Sequence, residues 1–152
     1  MANVGSAYPT RFDFIMCEDV RQEQNKKLTL IGTFVGSKIA VPANTQKAVI
    51  TLSLLWIFDD GVGTFAEHCE ITGPDGFRLL TTSQTAEKLP NGPHVFVMQM
   101  KPSPPMSLGK YVARVFLDTK AYERIFEIIS DPTVQEGPAL GSGHVVPPKL
   151  QS

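Results

Sequence analysis

The stretch that decides the fold is Ala48-Val49-Ile50-Thr51-Leu52-Ser53-Leu54-Leu55-Trp56-Ile57-Phe58. Read two residues at a time, Ile50, Leu52, Leu54, Trp56 and Phe58 form one unbroken apolar row. Leu55 and Ile57 make the far half of the opposite row apolar as well. Successive side chains of a strand point to opposite faces, so the pattern predicts a β-strand buried on both sides and therefore central in its sheet. Asp59-Asp60-Gly61 ends it with residues that favour turns.

Upstream, RFDFIMCEDV from Arg11 places Phe12, Phe14 and Met16 on one side and Ile15 and Cys17 on the other, a first strand. The polar run from Arg21 to Lys27 separates it from Leu28, Leu30 and Phe34, which alternate with Thr29, Ile31 and Thr33 in a second strand antiparallel to the first. A short piece from Lys38 to Val41 ends at Pro42, which lacks the N–H that a ladder needs and so points to an edge or a crossing between sheets. Downstream, Phe65, Cys69 and Ile71 alternate with His68, Glu70 and Thr72, and Gly73-Pro74-Asp75-Gly76 turns the chain back into Phe77 to Thr81. Further strands are read at His94 to Met100, Lys110 to Asp118 and Glu123 to Ile129. The last lies in AYERIFEIIS, which fits a helical period about as well, but the tight Thr119-Lys120 connection before it favours strand. In Leu108-Gly109-Lys110-Tyr111-Val112 the glycine and tyrosine suit the corner that opens a late strand in immunoglobulin-like domains.

Short strands parted by Gly, Pro, Asn and Asp turns leave more apolar faces than one sheet can hide. The expectation is an all-β domain, an antiparallel β-sandwich of immunoglobulin-like or C2-like type with about eight strands. The boundaries expected are an N-terminal arm over 1–10, the sandwich over 11–130 and a C-terminal tail over 131–152, whose four prolines and three glycines leave no periodicity.

At 152 residues the chain suits a single core, and 42% hydrophobic against 19% charged residues marks a globular protein. A net charge of -1 supplies no field to gather phosphates, so nucleic acid is not expected as a partner. No signal-like run opens the chain, and no stretch approaches the roughly 18 continuous apolar residues of a membrane helix. The reading is a cytoplasmic protein with no membrane partner. Cys17 and Cys69 stand alone without CxxC spacing, as reduced thiols.

Cys17-Glu18-Asp19-Val20-Arg21 is the most distinctive polar cluster, and Cys17, Glu18, Asp19 and Arg21 form the candidate interaction or ligand site. A thiol beside ionisable groups can serve as a nucleophile. Adjacent carboxylates raise its pKa, however, and alternation sets Cys17 on the face opposite Glu18, so the cysteine reads as a buried one. His68 and Cys69 are neighbours on a strand and point apart, and His94 and His144 are isolated, so no zinc site is expected. Asp59, Asp60, Asp75 and Asp118 lie at turns, where aspartate bonds its own backbone, and need not share the one end a calcium site requires. There is no P-loop, GxGxxG or GxSxG. No catalytic, cofactor-binding or metal-ligating residue is expected, and no cofactor.

The segment Phe12 to Gly36, FDFIMCEDVRQEQNKKLTLIGTFVG, resembles the opening of a family of bacterial proteins of unknown function, in which a strand ending in a CDD-R or CED-R motif is followed by a KLSLIG-like strand. Cys17, Glu18, Asp19 and Arg21 carry the likeness, which implies a β-sandwich of bacterial or phage origin and transfers no catalytic residue. With no reaction in view, the expected function is a non-enzymatic interaction or assembly module, taking a protein partner or another copy of itself. The surfaces offered are a sheet edge, the apolar second face of the Ala48 to Phe58 strand with Phe96, Met98 and Met100, and extended arms at Pro102 to Pro105 and Val145-Val146-Pro147-Pro148. The alternatives are a small-ligand binder or enzyme with a cleft near Glu18, Asp19 and Arg21, and a structural component of a phage or other particle.

Overall fold

The computed structural model of the chain describes residues 5–134, apart from the Lys26 side chain, and is built from strands. In chain order these are β1 (Phe12–Gln22), β2 (Leu28–Thr33), β3 (Lys38–Pro42), β4 (Lys47–Ala48), β5 (Leu52–Phe58), β6 (Gly63–Thr72), β7 (Arg78–Leu80), β8 (Gln84–Lys88), β9 (His94–Met100), β10 (Met106–Ser107), β11 (Gly109–Leu117) and β12 (Lys120–Asp131). One sheet has the order β2-β1-β5-β9, and the other runs β3-β12-β11-β6-β7 with β8 also on β6. The two pack face to face as a β-sandwich, and AYERIFEIIS is strand within β12.

Parity decides what goes inside. From the four-stranded sheet the even positions Met16, Leu52, Leu54, Trp56, Phe58, Phe96, Met98 and Met100 enter the core. Phe65, Cys69, Ile71, Tyr111, Ala113, Val115, Leu117, Tyr122, Phe126 and Ile128 meet them from the other sheet. Trp56 is fully enclosed, edge-on to Phe14 at 5.0 Å and to Phe96 at 5.9 Å between ring centroids. As expected, β5 is internal, pairing with β1 on one side and β9 on the other.

Three expectations need correction. Among the described residues the strands number twelve rather than about eight, because β4 and β10 are two-residue pairs and β8 carries no readable alternation: its inward row is Ala86 and Lys88. The central strand begins at Leu52, not Ala48. Ser103 grips the intervening residues, its Oγ accepting from Ile50 N at 2.9 Å and its N donating to Ile50 O at 2.7 Å, while Ala48 pairs with Met106. The ladder is not wholly antiparallel either, since β3 joins β12 in parallel after the chain crosses between sheets, with Pro42 at the edge where its missing N–H is harmless.

The two ends of the sandwich are fastened differently. At one, Tyr111 Oη donates to Ser107 O at 2.7 Å, the corner read from the sequence, and the ring packs so closely on Gly73 that any Cβ there would overlap it. At the other, residues 5–10 lie along the fold: Ala7 and Val62 exchange backbone bonds at 2.8 and 2.9 Å, Tyr122 Oη donates to Pro9 O at 2.7 Å, and Tyr8 stacks on Phe65. Two carboxylates complete this clasp. Asp118 accepts from Ala66 N at 2.9 Å and from Tyr8 Oη at 2.8 Å, and Asp60 accepts from the Thr10 hydroxyl and the Thr10 and Arg11 amides. Those donors hold both carboxyls below the usual range, the Ala66 amide foremost for Asp118 and the Thr10 hydroxyl for Asp60.

Two outcomes follow. In urea denaturation, Gly73→Ala should lower stability by about 1–3 kcal/mol through overpacking against Tyr111, against about 1 kcal/mol for Tyr111→Phe, which loses only a hydrogen bond. Because the Asp60 and Asp118 pKa values are depressed on folding, their contribution is present above the ordinary carboxyl value near 4 and is lost as pH falls through the folded values. Acidification should therefore free residues 5–10 before the core melts, seen as amide exchange at Ala7 rising while Trp56 fluorescence is unchanged.

Candidate functional site

The Cys17-to-Arg21 segment sits where β1 changes partners. The first half of β1 pairs with β5 up to Cys17↔Ser53, and the second pairs with β2 from Cys17↔Thr33 to Gln22↔Leu28. Cys17 is on the face turned away from the core, yet fully buried, its thiol donating to Asp19 O at 3.4 Å. Burial pushes that thiol up, and the Asp19 charge adds to the effect. Glu18 projects from the opposite face over Gly32, whose left-handed backbone (φ 68°) favours glycine, and a Cβ there would come 2.8 Å from Glu18 Cγ. Asp19 accepts from Arg21 Nε at 3.3 Å and from Lys101 Nζ, and the lysine foremost holds its carboxyl below the usual range. Lys101 follows β9, so this contact reaches past the start of β5 to tie β1 to the far side of its sheet.

The four residues therefore do not converge. Cys17, Asp19 and Arg21 share one face of β1, Glu18 takes the other, and the thiol bonds to a backbone oxygen rather than to a base. The other site candidates separate in the same way. Cys69 is core while His68 lies outside, stacked on Phe116 at 4.7 Å. Asp75 accepts from Ser107 Oγ at the end of the sandwich opposite Asp118. No group of three or more His, Cys, Asp or Glu side chains is placed to hold a metal ion among the described residues. His144 and the Val145-to-Pro148 arm lie outside the described residues.

The sequence reading passed over a buried carboxyl. Glu67 shares its inward row with Phe65, Cys69 and Ile71 and is fully buried, contacting His94 Nε2 at 2.6 Å from the other sheet and accepting from Gln84 Nε2 at 3.2 Å. Its signal was available, since a charged residue in an apolar parity row must find partners inside. His94 also stacks on Phe58, so the Glu67–His94 contact bolts one layer to the other. Lys88, 2% exposed, donates to Gly61 O at 3.1 Å and Leu89 O at 2.8 Å. It lines a cleft of about 220 Å³ with Gly5, Ser6, Gly63 and Thr64, below the several hundred Å³ usual for small-molecule sites.

The outer face of the six-stranded sheet mixes charged and apolar side chains, with Val112 paired to Ile125 and Phe116 stacked on His68. The six-stranded sheet presents ion pairs to solvent, Arg114 Nε to Glu123 at 2.9 Å and Arg78 Nε to Glu70 at 2.8 Å. On the outer face of the four-stranded sheet, paired positions bring Ile15, Leu55 and Val97 into one cross-strand row and Ile57 and Val95 into the next. Leu55 is buried and the other four are half-buried. Phe96, Met98 and Met100, expected on this patch, face the core instead, because their parity matches Trp56 and Leu54. The chain matches no protein-family model and no curated protein. Its surface must be read on its own chemistry, and by that measure the apolar face is the candidate functional site.

The thiols give a direct check on placement. Cys69, buried beside Glu70 and Glu67, is pushed up to about 12, and Cys17 is raised for the same first cause. Both should stay protonated and unreactive toward an aromatic disulfide reagent at pH 8, and two equivalents should react once denaturant is added.

Proposed function

We propose that this chain is a non-enzymatic assembly module, acting through the outer face of its four-stranded sheet. The observation that carries this reading is the stripe of Ile15, Leu55, Ile57, Val95 and Val97 across three adjacent strands, with no charge inside it. An antiparallel sheet with one face in water commonly alternates apolar-in and polar-out, and the outer face of the six-stranded sheet interrupts its apolar positions, such as Val112 and Ile125, with Arg114, Glu123 and Glu70. A face that breaks the rule over contiguous positions has the character of a contact surface. The ligand or enzyme alternative near Glu18, Asp19 and Arg21 has less support, because Glu18 lies on the face opposite the one that the paired Asp19 and Arg21 share. Two buried, neutral thiols suit a reducing compartment, and no helix among the described residues is long and apolar enough to cross a membrane.

The test is the state of association. Light scattering coupled to size exclusion should show a species larger than the monomer for the natural chain. Ile57→Lys and Val97→Lys should each shift it to monomer while leaving the melting temperature within about 4 °C, since neither side chain enters the core. Association that both lysines leave unchanged would refute the face as the contact surface.

A further inference from the structure

We infer that the cleft beside Lys88 binds a small monocarboxylate, with one carboxylate oxygen on the Lys88 ammonium and the other on the Ser6 hydroxyl. The site lies at the clasped end of the sandwich and stands on observations separate from those of the apolar face. Lys88 is 2% exposed and ends the inward row of β8, next to Ala86. Its ammonium donates to Gly61 O at 3.1 Å and Leu89 O at 2.8 Å, and among the described residues it forms no ion pair. Carbonyl dipoles carry only partial charge, so two of them leave a buried cation short of a full counter-charge. An ammonium has three N–H donors, and these bonds use two.

A second donor stands beside the first. Gly63 is the register partner of Lys88, and a Cβ on Gly63 would come 2.8 Å from Ser6 Oγ. Directly opposed positions of an antiparallel pair carry their Cβ atoms about 5 Å apart on one face, so the Ser6 hydroxyl lies alongside the lysine stem. That Oγ is buried and has no hydrogen-bond partner among the described residues. Ser6 as a whole is only half-buried, and rotation about its one χ angle turns the hydroxyl into the cleft that Ser6 and Lys88 both line. At about 220 Å³ that cleft suits a molecule of a few heavy atoms. Its lining also decides the charge of the occupant. Lys88 supplies one buried positive charge, while Glu87, also in the lining, is exposed and negative. A singly charged carboxylate balances the lysine, whereas a dianion such as sulfate keeps a surplus charge that Glu87 repels. The carboxylate fork also presents two acceptor oxygens, one for each unspent donor.

Amide spectra of the 15N-labelled full chain, titrated with sodium acetate against sodium chloride at equal ionic strength, test the site. Acetate should shift the Gly63, Thr64 and Leu89 signals saturably, with a dissociation constant on the order of 1–10 mM, as so few contacts allow. Sodium sulfate at the same ionic strength should bind about tenfold more weakly or not at all. Lys88→Met keeps most of the stem and removes the charge, and should raise the acetate dissociation constant about tenfold or more. Ser6→Ala removes only the hydroxyl and should raise it about threefold. Because Lys88→Met also unties Gly61 O and Leu89 O, Ser6→Ala carries the test by itself if that variant does not fold. Shifts that never saturate, that chloride or sulfate reproduces, or that either folded variant leaves unchanged overturn the carboxylate site. Each of those outcomes concerns the cleft and leaves the reading of the apolar face as it stands.

Discussion

A strand that is apolar on both faces has to be paired on both edges and covered on at least one side, and β5 imposes that demand on the rest of the molecule. Its even row, Leu52, Leu54, Trp56 and Phe58, meets a second sheet, and Trp56 stands edge-on between Phe14 and Phe96 within its own sheet. Removing a side chain of that size from such a site typically costs about 3–5 kcal/mol, on the order of half of a small domain's stability. Pairing both edges brings β1 and β9 alongside, and with them Ile15 and Val97 on either side of Leu55. The outer stripe is thus a direct consequence of the second apolar row of β5.

Polar contacts are confined to places where apolar packing gives no direction. Burial drives two sheets together without specifying how far one slides along the other. The Glu67–His94 contact at 2.6 Å joins one position of β6 to one of β9, and a carboxyl taken wholly out of water is costly anywhere else. The Tyr111 corner and the clasp at Asp60 and Asp118 act at opposite ends of the sandwich, each by giving backbone groups that strands leave unpaired a partner at hydrogen-bond distance. None of these groups touches the outer stripe, so the devices that order the fold and the surface assigned to contact are separate.

The fold was legible wherever alternation was strong. Phe12 to Cys17, Leu52 to Phe58, the tyrosine corner and the strand nature of AYERIFEIIS follow from side-chain parity and turn chemistry alone. What escaped was structure built from polar residues. β8 reads as QTAEK, with a lysine in its buried row, and Ala48 to Thr51 looked like more strand because nothing local reveals that Ser103, some fifty residues later, supplies its hydrogen bonds. The candidate site was half legible. Parity predicted that Cys17 and Glu18 would part, and they do, with Gly32 making room for Glu18. The reading placed the wrong row of β9 on the surface, taking the larger side chains Phe96, Met98 and Met100 for the exposed set when register with Trp56 directs them inward. Size was a poorer guide than parity.

The stripe also answers a question of necessity. Folding requires the inner rows to be apolar, because leaving them wet forfeits the burial that offsets chain entropy. It makes no such demand of Ile15, Ile57, Val95 and Val97, which point away from the second sheet and stay half-buried with their neighbours in place. Lysine, threonine or glutamate would pair as well there, and the six-stranded sheet shows the same chain placing Arg114, Glu123, Arg78 and Glu70 on its outer face. Open apolar surface on a sheet invites unwanted association and is usually broken up by charge. Here charge stands only at the two ends, Asp13 at one and Arg21 with Lys101 at the other, while Leu55 at the centre is buried by its neighbours and Ile15, Ile57, Val95 and Val97 around it stay half-buried. An apolar centre with charged ends is how interfaces are arranged, with the core excluding water and the rim selecting orientation.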